Sequence, residues 1–370
     1  MKKATTWLIL FFSITLNHFS YSQKSDYIAT DSTLRSGINL INSIPKDNAR
    51  FIRLKKKDGN VTYNPNQLSE YGFRNGTVYV SKSIPVSGRS KQVFLERIAS
   101  GKINLYYYRA NGIRTFFLER DSTIFTEVEK GEEFRKVIAQ YTNDLEWTAD
   151  QVRLTKYNRK SLAKLIALYN KGLDKPMPFI RVGLIAGLNS TYLKTPSGIS
   201  IERWKDVSFS PGSSFTFGIF GDLPIDMSNF SFNIGLHYAK SGFSSTLSDA
   251  QSDVDVIINY TSLSVPILVR YTLPNPGWRP FINAGGIYSH LLRNESIIYE
   301  FNFDQNTITT TKEATQLLNN HRPGLAIGLG IQRQLQRRKT TSVEFRLNHL
   351  PGNDNTLHQQ HLEILTSFSF

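Results

Sequence analysis

Between Arg322 and Arg333, bulky apolar residues alternate with very small or polar ones. Leu325, Ile327, Leu329 and Ile331 leave one side of the backbone, and Gly324, Ala326, Gly328, Gly330 and Gln332 leave the other. A period of two marks a β-strand. Bulky residues on one face and tiny ones on the other suit a wall between hydrocarbon and a narrow polar interior. Seven more segments repeat the alternation, at 179–189, 213–220, 230–240, 263–271, 281–293, 341–348 and 362–370. The fifth in chain order, 281–293, is the least regular, with apolar residues on both faces. Links after the second, fourth and sixth strands are short (221–229, 272–280, 335–340), and those after the first, third and fifth are long (190–212, 241–259, 294–321). Short turns alternating with long loops are the habit of transmembrane barrels. The pattern predicts an all-β-dominated chain whose residues 178–370 form an eight-stranded antiparallel transmembrane β-barrel.

Residues 23–175 read as a β-rich soluble domain ending in a short helical linker. Asp58-Gly59-Asn60 and Asn75-Gly76 are hairpin signals. A meander of four strands follows over 92–128, turning at Ser100-Gly101, Asn111-Gly112 and Arg120-Asp121-Ser122. Its aromatics Phe94, Tyr106, Tyr107, Tyr108, Phe116, Phe117 and Phe125 are read as core and cross-strand packing rather than a sugar-stacking platform. Helices are expected at 132–141 and 159–171, the second capped by Asn158, ended by Gly172, and burying Leu162, Leu165, Ile166 and Tyr169. Lys175-Pro176-Met177-Pro178 breaks the helical pattern, and the domain boundary is placed there.

Lys2 and Lys3, an apolar run from Trp7 to Leu16, and Ser20-Tyr21-Ser22 predict a signal peptide over 1–22. The run is too short for the ~20 apolar residues of a spanning helix. The chain holds no Cys, which excludes disulfides, thiolate chemistry and a lipid-modified cysteine. The net charge of +14 is uneven: residues 23–177 hold 27 basic and 16 acidic side chains, while 178–370 hold 15 and 14. The basic excess therefore belongs to the N-terminal domain. Arg53, Lys55 and Lys57 would share one strand face, a candidate contact with an anionic surface such as cell wall or lipid headgroups. Nucleic acid is not an expected partner for an exported chain.

The C-terminal half resembles the PorT-like outer-membrane β-barrels of Gram-negative bacteria. FIRVGLIAGLN from Phe179, SLSVPILVRYTL around Pro266 and Tyr271, RPFINAGGIYSHLL from Arg279 and PGLAIGLGIQ from Pro323 carry the likeness. Terminal Phe370, with Phe368 and Ile364 at alternate positions, looks like the signal read by the barrel-assembly machinery. The resemblance implies a cell outer-membrane location, with outer-membrane lipid around the barrel and the N-terminal domain in the periplasm. It is functionally mixed and carries over no catalytic residue.

An eight-stranded barrel is just wide enough to be filled by its own side chains. The inward parity collects Arg181, His237, Arg270, Glu344, Arg346 and Glu363, and buried charges must pair. A network of Glu344, Arg346, Glu363 and Arg181 across strands seven, eight and one is expected, either as a structural plug, the preferred reading, or as an ion or proton path. His290, His321, His349, His358 and His361 gather near the long-loop rim, but the first three face lipid, His361 faces inward and His358 lies in a loop. Their divergence argues against a shared metal site. Ser289 and His290 are adjacent and so face opposite sides. No P-loop, HExxH or nucleophile elbow is present. No catalytic residue, cofactor or metal is expected. The function predicted is structural, anchoring or interaction, accessory to secretion or envelope assembly. A small-solute pore is the alternative, and a lipid-modifying barrel enzyme ranks last.

Overall fold

The computed structural model describes residues 25–370 apart from 87, 111, 122–123, 132, 147, 173–176, 195–208, 249–251, 276, 303–306, 313–316, 337–338 and 353–355. The expected leader, 1–22, lies outside the described residues. The chain divides into two compact units, Met1–Val137 and Ile138–Phe370.

The first unit is built on strands β1 (Asp26–Ala29), β2 (Leu34–Ile38), β3 (Leu40–Ile41), helix α1 (Pro45–Asn48), β4 (Ile52–Lys56), β5 (Gly59–Tyr63), β6 (Glu70–Gly72), β7 (Val78–Val86), β8 (Arg89–Ala99), β9 (Ile103–Ala110), β10 (Ile113–Arg120) and β11 (Ile124–Val128). Eight of them form one sheet in the order β11-β10-β9-β8-β7-β6-β1-β2, and β3-β4-β5 form a second. The meander appears as β8 to β11. Its aromatics do pack: Phe94, Tyr106, Tyr108, Phe116 and Phe117 are buried, and Phe117 stacks on Phe125 with centroids 5.1 Å apart. On β10 of this sheet Glu119 accepts hydrogen bonds from Lys82, Tyr106 and Asn104. Burial alone would raise its carboxyl, but these donors outweigh it and hold the pKa below the usual carboxylate range.

Helix α2 (Glu133–Thr142) crosses the division, and α3 (Thr148–Leu154) and α4 (Arg159–Asn170) belong to the second unit. The compact division thus falls earlier than the break placed at 175–178, because α3 and α4 are tied to the barrel. Gln151 donates to the Pro178 carbonyl (2.5 Å), Lys164 to Asn229 (3.1 Å), and Lys156 pairs with Asp226 (2.9 Å). Helix α4 is as expected: Asn158 accepts from the Ser161 amide at 2.8 Å, Gly172 takes a positive φ of 58°, and Leu162, Leu165, Ile166 and Tyr169 are buried.

The barrel consists of β12 (Arg181–Lys194), β13 (Gly212–Pro224), β14 (Phe230–Ser248), β15 (Ser252–Thr272), β16 (Trp278–Asn302), β18 (His321–Gln334), β19 (Thr340–Leu350) and β20 (His358–Ser369). All neighbours are antiparallel, and the β12–β20 and β15–β16 pairings close it. A further strand, β17 (Thr307–Lys312), pairs with the far end of β16. The outward apolar stripe is realised on every barrel strand; on β18, Leu325 is 69% and Leu329 is 64% exposed, while Ala326 and Gln332 between and beside them are buried. No described helix is long and apolar enough to cross a membrane, and here strands do the spanning.

One expectation needs correction. The links at 241–259 and 294–321 are largely strand, not loop. β14, β15 and β16 run for 19, 21 and 25 residues, well past the ~9–11 that a spanning strand needs. They continue beyond the apolar belt as a ribbon joined by β17. At Thr261/Ser262 the β15–β16 register shifts by one residue, opposite Leu291 and Arg293. That bulge reverses which β16 side chains face inward beyond it; the irregular look of 281–293 comes instead from Phe281, Ile287 and Leu291, apolar residues buried on the inward face.

Candidate functional site

The barrel interior is organised by what the small face of β18 leaves room for. A Cβ on Gly328 would come within 2.5 Å of the Glu344 carboxylate, and one on Gly330 within 2.5 Å of the Phe281 ring. The glycines therefore let Glu344 and Phe281 reach across the lumen. Glu344 accepts from Arg346 at 2.7 Å and from Arg270 at 3.3 Å. Arg270 also donates to Asn283 at 2.9 Å and stacks 4.1 Å over the Phe281 ring. Arg181 pairs with Asp222 and donates to Gln332 at 2.7 Å, and Asp222 lies 4.0 Å from Arg270. Glu363 sits opposite Arg346 in the β19–β20 register and accepts from Asn348 at 2.8 Å and Thr216 at 3.3 Å.

All five expected lumen residues, Arg181, Arg270, Glu344, Arg346 and Glu363, are thus buried inside the barrel. The network differs from the expected one: Arg181 pairs with Asp222, which falls in the short link expected at 221–229, and Arg270 joins Asp222 to Glu344. Gly221-Asp222 looks like a turn signal, but β13 runs on to Pro224. The charges form a continuous chain from Arg181 through Asp222, Arg270 and Glu344 to Arg346, which satisfies the pairing requirement for charges in a low-dielectric interior. Nearer the long-link end, His361 lies within hydrogen-bond distance of Asn189 (3.1 Å), and a gap of about 20 Å³ among His237, His361, Glu363 and their neighbours is on the scale of a single water.

A second closure, which the sequence reading missed, sits at the long-link end. Phe209, Leu317, Leu318 and Leu357 come from three different links and pack on Phe243, Val256, Ile258 and Tyr260 of the extended strands. The Leu357 amide bonds the Leu317 carbonyl (2.9 Å), and Arg322 donates to the Leu357 carbonyl (2.8 Å). Most inward residues here are apolar, and the buried Arg322 is the charge that remains among those described above.

On the outer surface, His290 and His321 pair directly across β16 and β18 with ring centroids 4.7 Å apart, and Tyr288 bonds His321 at 2.5 Å. His349 stacks near His358 (6.4 Å), while His361 points inward. Ser289 faces inward and bonds Ser264 at 2.9 Å. Among the described residues no cluster of three or more His, Asp or Glu side chains could hold a metal. Phe368 on the outer face of β20 and Phe370 just after it are exposed. In the first unit, Arg53 is half-buried on β4, donating to Ser43 (3.3 Å) and lying 5.5 Å from the Phe51 ring. Lys55 is exposed on the same strand, and Lys57 falls in the turn after it, also exposed.

At the short-turn end of the barrel a cavity of about 720 Å³ opens between α4 and the strand turns. Lys164, Lys171, Arg279 and Arg333 line it, and the Arg181–Asp222 pair forms part of its wall.

No curated protein sequence matches the chain. In solved structures, the chain is similar to Ail, the attachment invasion locus protein of Yersinia pestis, at 12% identity over 51% of this chain and 98% of that one, with a TM-score of 0.24. Neisserial surface protein A is similar at 9% identity over 51% and 97%, with a TM-score of 0.26. The outer membrane protein OprG from Pseudomonas aeruginosa is similar at 12% identity over 51% and 91%, also with a TM-score of 0.26. Residues 175–349 match the family model described as outer membrane protein beta-barrel domain. That match falls on the closed barrel with its apolar outer belt, and it supports an outer-membrane β-barrel protein and an outer-membrane location.

Proposed function

We propose that this protein is a closed outer-membrane barrel that anchors its N-terminal unit in the periplasm, with a structural or interaction role in the envelope. The observation that carries this reading is the filled lumen: a charge chain from Arg181 to Arg346 and an apolar closure around Leu317 and Leu357. A conducting pore would need a continuous polar path of ionic width. The even strand number returns the C-terminus to the side from which the chain enters the barrel, which supports a periplasmic position for the short turns and an outward one for the β14–β17 ribbon. The PorT-like resemblance fits an accessory part in secretion or envelope assembly, and the barrel-assembly machinery would read Phe368 and Phe370. The exposed Lys55 and Lys57 make the N-terminal unit suited to an anionic envelope surface or an envelope protein.

Crosslinking in intact cells from a photoreactive residue at Lys55 tests the anchoring role. Envelope components recovered from the outer-membrane fraction are the expected result. Absence of any crosslink, with the full-length protein inserted in the outer membrane, would overturn an interaction role for this unit.

A further inference from the structure

The basic cavity at the short-turn end opens beyond the lumen network and meets it only at the Arg181–Asp222 pair, which forms part of its wall. We propose that it binds a small amphiphilic anion, a single phosphate or carboxylate head carrying a short apolar tail. Its volume of about 720 Å³ lies within the ~300–1,000 Å³ typical of small-molecule sites. The electrostatics are one-sided. Lys164, Lys171, Arg279 and Arg333 line the cavity, and among the described lining residues the one carboxylate is Asp222. That carboxylate is already engaged by Arg181 and by the Ser231 hydroxyl (2.6 Å).

Two of the four cations, Lys164 and Arg279, are held in place rather than left to solvent. Lys164 is half-buried, and its hydrogen-bond partner among the described residues is the amide oxygen of Asn229, not a carboxylate. Burial, with Lys160 and Arg279 nearby, lowers its pKa from the ordinary lysine value. Arg279 is also half-buried; its Nε is fixed to the Asn275 carbonyl at 3.1 Å, which leaves the Nη edge of the guanidinium for a ligand. Two desolvated cations without a facing acid lose solvation that an anion would restore. An apolar stretch of the wall comes from Leu168 on α4, Phe179 in the segment before β12, and Leu273 in the β15–β16 turn, beside polar Ser228, Thr272 and Gln334. A bare ion would leave this surface uncovered; a tail of several carbons would cover it.

The test uses full-length protein in nanodiscs, with empty nanodiscs as the reference, titrated calorimetrically with octyl phosphate, inorganic phosphate and octanol. Octyl phosphate is expected to bind saturably, at least tenfold more tightly than either of the other two. Lys164→Met with Arg279→Gln should weaken it at least tenfold. Leu168→Glu, which places a carboxylate at the apolar wall, should weaken it similarly with the cations intact. Heat-modifiable migration on a gel confirms that each variant remains a folded barrel. Repeating the titration in nanodiscs with anionic lipid decides the source of the ligand: competition assigns a membrane-lipid headgroup, and unchanged affinity assigns a soluble amphiphile. Absence of saturable binding, equal binding of inorganic phosphate or octanol, or unchanged affinity in both variants would overturn the proposal.

Discussion

Substituting Glu344 by Gln removes the one charge on which Arg346 and Arg270 converge, at 2.7 and 3.3 Å, while keeping the side-chain volume. Glu344 is 2% exposed, so water does not reach it to compensate. Breaking a buried ion pair by removing one partner costs ~3–5 kcal/mol, because the surviving charge is left uncompensated. Here the lower end applies: Arg270 retains Asn283 and the Asp222 carboxylate at 4.0 Å, and Arg346 retains Glu363 opposite it. A loss of about 3 kcal/mol is about two orders of magnitude in the folding equilibrium. The assay is urea unfolding of the barrel from phospholipid vesicles, followed by heat-modifiable migration and tryptophan fluorescence. Arg346→Met alone should also destabilise, because it removes the nearer of the two cations on Glu344 and the one opposite Glu363. The Glu344→Gln/Arg346→Met double variant should cost less than the sum of the two, since removing both members of a pair is cheaper than removing one. A cost below ~1 kcal/mol for Glu344→Gln would mean that water replaces the lost partner. That result would refute a dry, side-chain-filled lumen.

Three further outcomes are expected. Phe368→Ser with Phe370→Ser should reduce the folded barrel recovered from the outer membrane of cells several-fold while leaving folding into synthetic vesicles little changed, as read by fractionation and gel migration. In the N-terminal unit the Glu119 pKa is depressed on folding, so its contribution is present above the unfolded carboxylate value and is lost as pH falls through the folded one. Hydrogen exchange of the β9 and β10 amides should therefore accelerate in acid, and Lys82→Met should shrink that acid-dependent change. Lys55→Gln and Lys57→Gln should weaken low-salt sedimentation of the N-terminal region with anionic vesicles, each exposed charge contributing ~1 kcal/mol, and Arg53→Gln should matter less because Arg53 is half-buried against Ser43.

The barrel was legible because its outward face answers to one solvent: hydrocarbon demands an apolar residue at every second position, and Leu325 to Ile331 show nothing else. The same parity exposed the lumen charges, since Arg181, Arg270, Glu344, Arg346 and Glu363 have no other place to go. Asp222 was lost because its local cue, a glycine before an aspartate, is shared by turns and strand ends. The extension of β14 to β17 was lost for a different reason. Beyond the belt, alternation persists but its meaning inverts, with Val256, Ile258 and Tyr260 buried inside instead of facing lipid. The apolar closure joins Phe209, Leu317 and Leu357 from three separate links, and no local pattern records a contact over such separations. The basic cavity is likewise tertiary. Lys164 reads as a solvated helix position until α4 folds against the barrel turns.

Planar-bilayer recording of the purified full-length protein tests the closed barrel most directly. With the charge chain and the apolar closure in series, insertion should yield no steady conductance across the range of voltages that intact bilayers withstand. Long-lived, uniform open channels, reproducible between preparations and altered by Glu344→Gln, would contradict a filled lumen and make transport the function of this barrel.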